Sequence, residues 1–187
     1  MAHRTEVLIL QHPLEVHEAK GTARLLHLSL PHSRMVTGER FDASALQPLL
    51  TAPFDATDAA IAPRHALLLY PEAPQDATLG IATPPPLNPA WVQSPERLRL
   101  VVLDGTWRKS RKMLHQNPLL QQLPRLPLRE LPASRYRIRT ARQPHQLSTL
   151  EATCAALAQL EGAESLAPLL AAFDGFVAQQ AAWQVRR

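Results

Sequence analysis

The chain has 187 residues, 45% of them hydrophobic, with 18 prolines against 6 glycines; this suits one core-forming domain of short elements joined by stiff connections. A single cysteine excludes an intramolecular disulfide and a multi-cysteine zinc site, and no apolar run is long enough to cross a bilayer, nor is there a basic-then-apolar start, so a soluble cytoplasmic protein is expected. The net charge is +4, a weak pointer by itself to a nucleic-acid partner.

The first buried strand is predicted over Val7–Leu10, an apolar run ending at Gln11-His12-Pro13. The next strand candidate is Arg24–Leu30, stopped by Pro31. Asp42–Leu50 reads as a helix with Asp42 or Ser44 as N-cap and Leu46, Leu49 and Leu50 on one face. Ala66–Tyr70 is a further strand, closed by Pro71, and the Pro-rich stretch from Thr83 to Pro89 is either a loop over a site or a spacer.

Leu98–Leu103 is the strongest buried-strand signal. It stops at Asp104-Gly105-Thr106-Trp107, where a helix begins that carries Met113 and Leu114 on one side and ends at Asn117-Pro118. Arg135–Ile138 alternates: Arg135, Arg137 and Arg139 point one way and Tyr136 and Ile138 the other, as in a strand offering arginines to phosphates. Ser148-Thr149-Leu150-Glu151 is a capping-box pattern ahead of an alanine-rich helix to about Leu160, with Gly162 as its stop. A C-terminal amphipathic helix over about 165–184 carries Leu166, Leu169, Leu170, Phe173, Phe176, Val177, Gln180 and Trp183, mostly on one face. Its stripe suits packing on the core or against a second subunit, so oligomeric state stays open. Strands alternating with helices predict an α/β fold with a mainly parallel sheet flanked by helices, in a single domain over 1–187.

Charge is segregated. From Arg97 to Arg142 twelve Lys and Arg stand against Asp104 and Glu130, a local charge of +10 that leaves −6 for the rest of the chain. Such segregation predicts a basic face for nucleic acid.

The chemistry centres on Asp104-Gly105-Thr106-Trp107-Arg108-Lys109-Ser110-Arg111-Lys112-Met113, where a buried strand feeds a helix. Ligands of open α/β sheets bind outside the carboxyl ends of strands. Gly105 allows a sharp turn and close approach of a ligand. Helix-start amides and the Thr106 hydroxyl suit carboxylate or hydroxyl groups, and Asp104 suits a proton or a cation. The plain structural alternative makes Asp104 an N-cap, Gly105 a turn residue and Trp107 a core plug.

Val101-Val102-Leu103-Asp104-Gly105-Thr106-Trp107 followed by Arg111-Lys112-Met113 resembles the signature of the DTW-domain family. Four further stretches resemble the same family in order: Leu10-Gln11-His12-Pro13-Leu14-Glu15, Thr22-Ala23-Arg24-Leu25-Leu26, Leu68-Leu69-Tyr70-Pro71 and Leu147-Ser148-Thr149-Leu150-Glu151-Ala152. The resemblance spans roughly residues 7 to 160. It implies a tRNA-uridine aminocarboxypropyltransferase with S-adenosylmethionine (SAM) as donor. It also implies a SPOUT-like fold whose C-terminal part is knotted around the SAM site, which hydrophobic periodicity cannot predict. Many members carry a cysteine cluster ahead of the Gln-His-Pro stretch. This chain has none there, so no structural zinc is expected and the choice of RNA is left open.

Under this resemblance Asp104 is either the base that takes the uridine N3 proton or a ligand of the SAM ammonium or ribose. Tyr70, Pro71, Leu103, Gly105, Thr106, Trp107, Ser148 and Thr149 are expected to line the cofactor pocket, with Trp107 stacking on adenine, stacking on the target base or packing its helix. Arg108, Lys109, Arg111, Lys112, Arg135 and Arg137 are expected to hold RNA phosphates. Arg24 binds the SAM carboxylate or a phosphate, or pairs with Glu15. His12 and His17 lack a compact ligand set, so no metal is expected; Gln11, His12 and Glu15 shape the rim. Glu151 reads as a cap and Cys154 as a small core residue. Two other classes fit the same residues: a SPOUT-like SAM-dependent RNA methyltransferase and a non-catalytic RNA-binding protein; ribosomal RNA is a further possible substrate.

Overall fold

A computed structural model of the chain describes residues 3–18, 21–55, 62–71, 78, 80–129, 134, 147–162 and 166–185. The expected Arg135–Ile138 strand lies outside these residues, with Arg135, Arg137 and Arg139, as does the side chain of Trp183.

The core is a four-stranded sheet in the order β2-β1-β4-β3, with every pairing parallel. The two central strands, β1 (Glu6–Gln11) and β4 (Leu98–Asp104), are buried at every position. A strand covered on both faces must be apolar along its length rather than alternating, which is why these two were the clearest in the sequence. Val7, Ile9, Leu98, Leu100 and Val102 face one layer of helices; Leu8, Leu10, Val101 and Leu103 face the other. The first layer holds α1 (Ala23–Ser29), α5 (Thr149–Glu161) and α6 (Ala167–Val185). The second holds α2 (Ala43–Thr51), α3 (Trp107–Gln116) and α4 (Pro118–Gln121). β3 (His65–Leu69) forms one edge. The segment 124–126 covers it: Leu68 N–H donates to Pro124 O and Leu126 N–H to Leu68 O, both at 2.9 Å.

One strand assignment is corrected. Arg24–Leu30 is not a strand; α1 occupies Ala23–Ser29. Ala23, Leu26 and Leu30 are buried at helical spacing while Leu28 is 75% exposed. In a strand Leu26, Leu28 and Leu30 would share one face. The strand after β1 is instead β2 (Ser33–Thr37), a half-covered edge strand with only Met35 and Val36 apolar, too weak a pattern to detect.

Caps resolve the remaining ends. Asp42, not Ser44, caps α2 by accepting from Ser44 N–H at 2.8 Å. Ser148 and Glu151 form the expected capping box on α5, and Gly162 closes that helix at φ +93°, where a side chain would be strained. Leu166, Leu169, Phe173 and Val177 bury one stripe of the C-terminal segment in the first layer.

At the amino end of the sheet, Arg99 is wholly buried. It donates to the carboxylate of its cross-strand partner Glu6 and to the carbonyls of Leu49 and Ala52 at 2.6 Å, and lies 3.9 Å over the Phe54 ring. Glu6 also accepts from Phe54 N–H and Arg64, each at 3.1 Å. Burial pushes the Glu6 carboxyl up, but these donors together hold it below its ordinary value. Arg99 therefore belongs to the core and not to the basic face that its place in the sequence suggested.

Candidate functional site

The site grows from the carboxyl ends of β1 and β4. From β1 the chain turns to β2 on one side, then reaches β3 on the other, so the crevice between β1 and β4 is where connections diverge. Gln11 and Asp104, the last residues of these strands, are direct register partners. Asp104 is 5% exposed, and both its oxygens accept hydrogen bonds. Gln11 Nε2 donates to Oδ2 at 3.0 Å and Thr149 Oγ1 donates to Oδ1 at 2.7 Å. His12 N–H donates to the Asp104 carbonyl at 2.9 Å. The Thr149 hydroxyl is available because Ser148 caps α5, accepting from Glu151 N–H while the Glu151 carboxylate accepts from Ser148 N–H and Ser134 Oγ. Leu150 N–H donates to Thr22 Oγ1 at 3.2 Å, tying α5 to the start of α1. Glu151 is thus a cap, as read.

Asp104 is not a helix cap. Thr106 caps α3, accepting from Lys109 N–H at 3.4 Å, which frees the Asp104 carboxylate for its side-chain donors. Gly105 needs no left-handed backbone, since only Gly80 and Gly162 have positive φ among the described residues. Its value is close packing: an added Cβ would lie 3.1 Å from Lys109 Cβ and 3.6 Å from His12 Cβ.

Ion pairs tie the rim loops to α3. Lys109 Nζ reaches Glu15 at 2.7 Å, so Glu15 is engaged by this lysine rather than by Arg24, which is exposed. Lys112 Nζ and His12 Nε2 both meet Glu39 Oε1 at 2.9 Å. His12 Nδ1 accepts from Leu14 N–H, which assigns the ring proton to Nε2, donated to Glu39. Lys112, then His12, holds the Glu39 carboxyl below the usual range. Asn117, buried at the end of α3, accepts from Phe41 N–H and donates to the carbonyls of Glu39 and Met113. Asn117 was read only as the stop of its helix, and Glu39 was not singled out from the sequence; Glu39 stands far from any motif and only the fold brings it here.

An aromatic stack forms the other side. Tyr70, buried just past β3, lies parallel to Trp107 at 5.0 Å and 16°. Arg125 is 4.9 Å from the Tyr70 ring and donates to Pro71 O at 3.1 Å. Arg111 is 5.5 Å from the Trp107 ring. Trp107 is 41% exposed, so it is not a core plug.

Of the expected pocket residues, the structure gathers Leu103, Gly105, Thr106 and Thr149 around Asp104, with Ser148 behind Thr149 as its cap. Tyr70 joins through Trp107, and Pro71 is exposed beside it. Arg108 and Lys112 are exposed, Arg111 half-buried, and Lys109 engaged by Glu15. Arg125, counted with the basic segment, is buried beneath Tyr70. Cys154 is buried in α5; burial, with Glu151 adding to it, pushes its thiol up to about 12, so it is no nucleophile. No helix among the described residues is long and apolar enough to cross a membrane.

Comparison with known proteins agrees with the motif reading. tRNA-uridine aminocarboxypropyltransferase 2 of Drosophila melanogaster is 32% identical over 168 residues, 87% of this chain and 59% of that protein. The Mus musculus protein of the same name is 29% identical over 159 residues, 84% of this chain and 48% of its own length. The chain thus spans about half the length of the curated relatives it matches. No solved structure matches it. The DTW domain matches over residues 1–181, taking in Gln11, the Asp104-Gly105-Thr106-Trp107 turn and Thr149 together; the chain belongs to the DTW domain family.

Proposed function

We propose that the protein is a cytoplasmic SAM-dependent tRNA-uridine aminocarboxypropyltransferase, a single DTW domain with a SPOUT-like, knotted C-terminal part. One observation carries the reading. Three motif stretches far apart in the chain converge on one buried carboxylate: Gln11 and Thr149, 93 and 45 residues from Asp104, each donate to one of its oxygens. Family membership and the relatives' printed names support the reaction class.

The residues fit the donor. When bound, SAM supplies an electrophilic γ-carbon and a good leaving group, methylthioadenosine. The arm to be moved is a zwitterion, and the site offers both complements side by side. Asp104 accepts from an ammonium. The amides of Trp107 and Arg108, first in α3, have no intrahelical acceptor and suit the carboxylate.

In the reaction a bond forms between uridine N3 and the γ-carbon, the carbon–sulfur bond breaks, and the N3 proton must leave. Asp104 either takes that proton or holds the arm's ammonium; in both roles its fixed orientation presents a lone pair at a set place. Gln11 and Thr149 position it. Leu103, Gly105, Thr106, Ser148, Tyr70 and Pro71 shape the wall around it. Arg108, Arg111 and, beyond the described residues, Arg135 and Arg137 hold tRNA phosphates, while Lys112 is engaged by Glu39.

The test is incubation of the protein with SAM and unmodified tRNA, followed by mass spectrometry of nucleosides and by-products. Aminocarboxypropyluridine with methylthioadenosine is expected. A methylated nucleoside with S-adenosylhomocysteine would move the protein to methyl transfer, and no SAM binding at all would overturn the proposal.

A further inference from the structure

We propose that Trp107 is a stacking platform for an unpaired RNA base, the target uridine or its neighbour, and not a ligand of the SAM adenine. The inference rests on the reading of the protein as an RNA-modifying enzyme and deepens it.

Trp107 combines two properties that seldom meet. It is 41% exposed, yet its ring is held parallel to buried Tyr70 at 5.0 Å, and Tyr70 is backed by Arg125, which is anchored on Pro71 O. A core tryptophan would be covered, and a merely tolerated surface tryptophan would not be braced. A large aromatic fixed in orientation but left open is what base stacking requires, because every base has a π-face and the platform then loses little freedom on binding.

The charges beside it are sorted the same way. Lys109 and Lys112 are engaged by Glu15 and Glu39. Arg108 and Arg111 pair with no carboxylate among the described residues; Arg108 follows Trp107 in the first turn of α3, and Arg111, one turn further on, lies 5.5 Å over the Trp107 ring. Two guanidinium groups with no carboxylate partner among the described residues, one over the exposed ring and one on the residue after it, suit the phosphates of a splayed nucleotide. Adenine pockets are enclosed and apolar, whereas this ring is open and cationic at its border.

The experiment uses the full chain with Trp91→Phe and Trp183→Phe, leaving Trp107 as the one tryptophan. A short oligouridylate is titrated against its fluorescence, with binding of tRNA by filter retention and of SAM by calorimetry measured in parallel. Quenching that saturates with oligouridylate binding is expected. Trp107→Ala, in the natural sequence, should weaken oligouridylate on the order of tenfold, Trp107→Phe should keep most of the affinity, and SAM affinity should not move, because both substitutions keep the backbone amide assigned to the SAM carboxylate and remove only the ring. Bound RNA with unquenched Trp107, or loss of SAM affinity in Trp107→Ala, would overturn the assignment while leaving the enzyme reading intact. Failure of the unaltered protein to bind either RNA would overturn both.

Discussion

Replacing Thr149 by valine tests the anchoring of Asp104 most directly. The substitution keeps shape and removes one hydroxyl, the donor 2.7 Å from Asp104 Oδ1. Asp104 is 5% exposed, so water does not readily take the donor's place. A hydrogen bond to a charged group contributes about 1.5–3 kcal/mol. If the anchored carboxylate acts in the transition state, the same loss lowers kcat/KM by roughly 10- to 150-fold. Thr149→Ser, which keeps the hydroxyl, should retain most activity. Gln11→Leu removes the second donor and should act on the same carboxylate, so the double variant should fall short of the sum of the singles. The assays are aminocarboxypropyl transfer to tRNA at varied SAM and urea denaturation of each variant. Thr149→Val with unchanged kcat/KM and stability would refute the reasoning, because it would mean that the orientation of Asp104 does not matter. Loss of stability alone, with full activity per folded molecule, would reduce the contact to a structural one.

Three further outcomes follow from other parts of the molecule. Arg99→Met should cost about 3–5 kcal/mol by leaving Glu6 buried with fewer partners, read as a lower Tm. Glu6 is held below its ordinary value of 4.5, so its contribution is present above that pH and is lost as pH falls through the lowered value; in Arg99→Met the acid limb should move to higher pH. Arg108→Ala and Arg111→Ala should each reduce the slope of log affinity for tRNA against log salt by about one, whereas Lys112→Gln should change it less, because Glu39 already neutralises that charge. Cys154 should resist thiol reagents at pH 8 until the protein is unfolded, because burial pushes its thiol up to about 12.

Strands buried on both faces were legible because burial demands an unbroken apolar run, and β1 and β4 are such runs. Capping boxes and glycine stops were legible because they are local chemistry, as at Ser148, Glu151 and Gly162. Helix α1 was read as a strand, since Leu25, Leu26, Leu28 and Leu30 fit either period over so short a stretch, and the edge strand β2 was missed because only Met35 and Val36 are apolar. The turn Asp104-Gly105-Thr106-Trp107 could be placed at a strand end, but its division of labour could not. Thr106 turned out to be the cap and Asp104 the anchored carboxylate, and that depends on Gln11 and Thr149 arriving from other elements.

Charge shows the same boundary. The sequence by itself determined that bases crowd into one stretch, that the core is a parallel sheet between helices, and that the motifs belong together, because composition, periodicity and order are properties of the chain. Only the tertiary structure decided that Arg99 is a buried partner of Glu6, that Arg125 lies beneath Tyr70, that two lysines are engaged by Glu15 and Glu39, and that Trp107 stays open. Those outcomes depend on which side chains meet across the sheet, and a charge is free or spent according to a neighbour that may stand 94 residues away, as Glu15 does from Lys109.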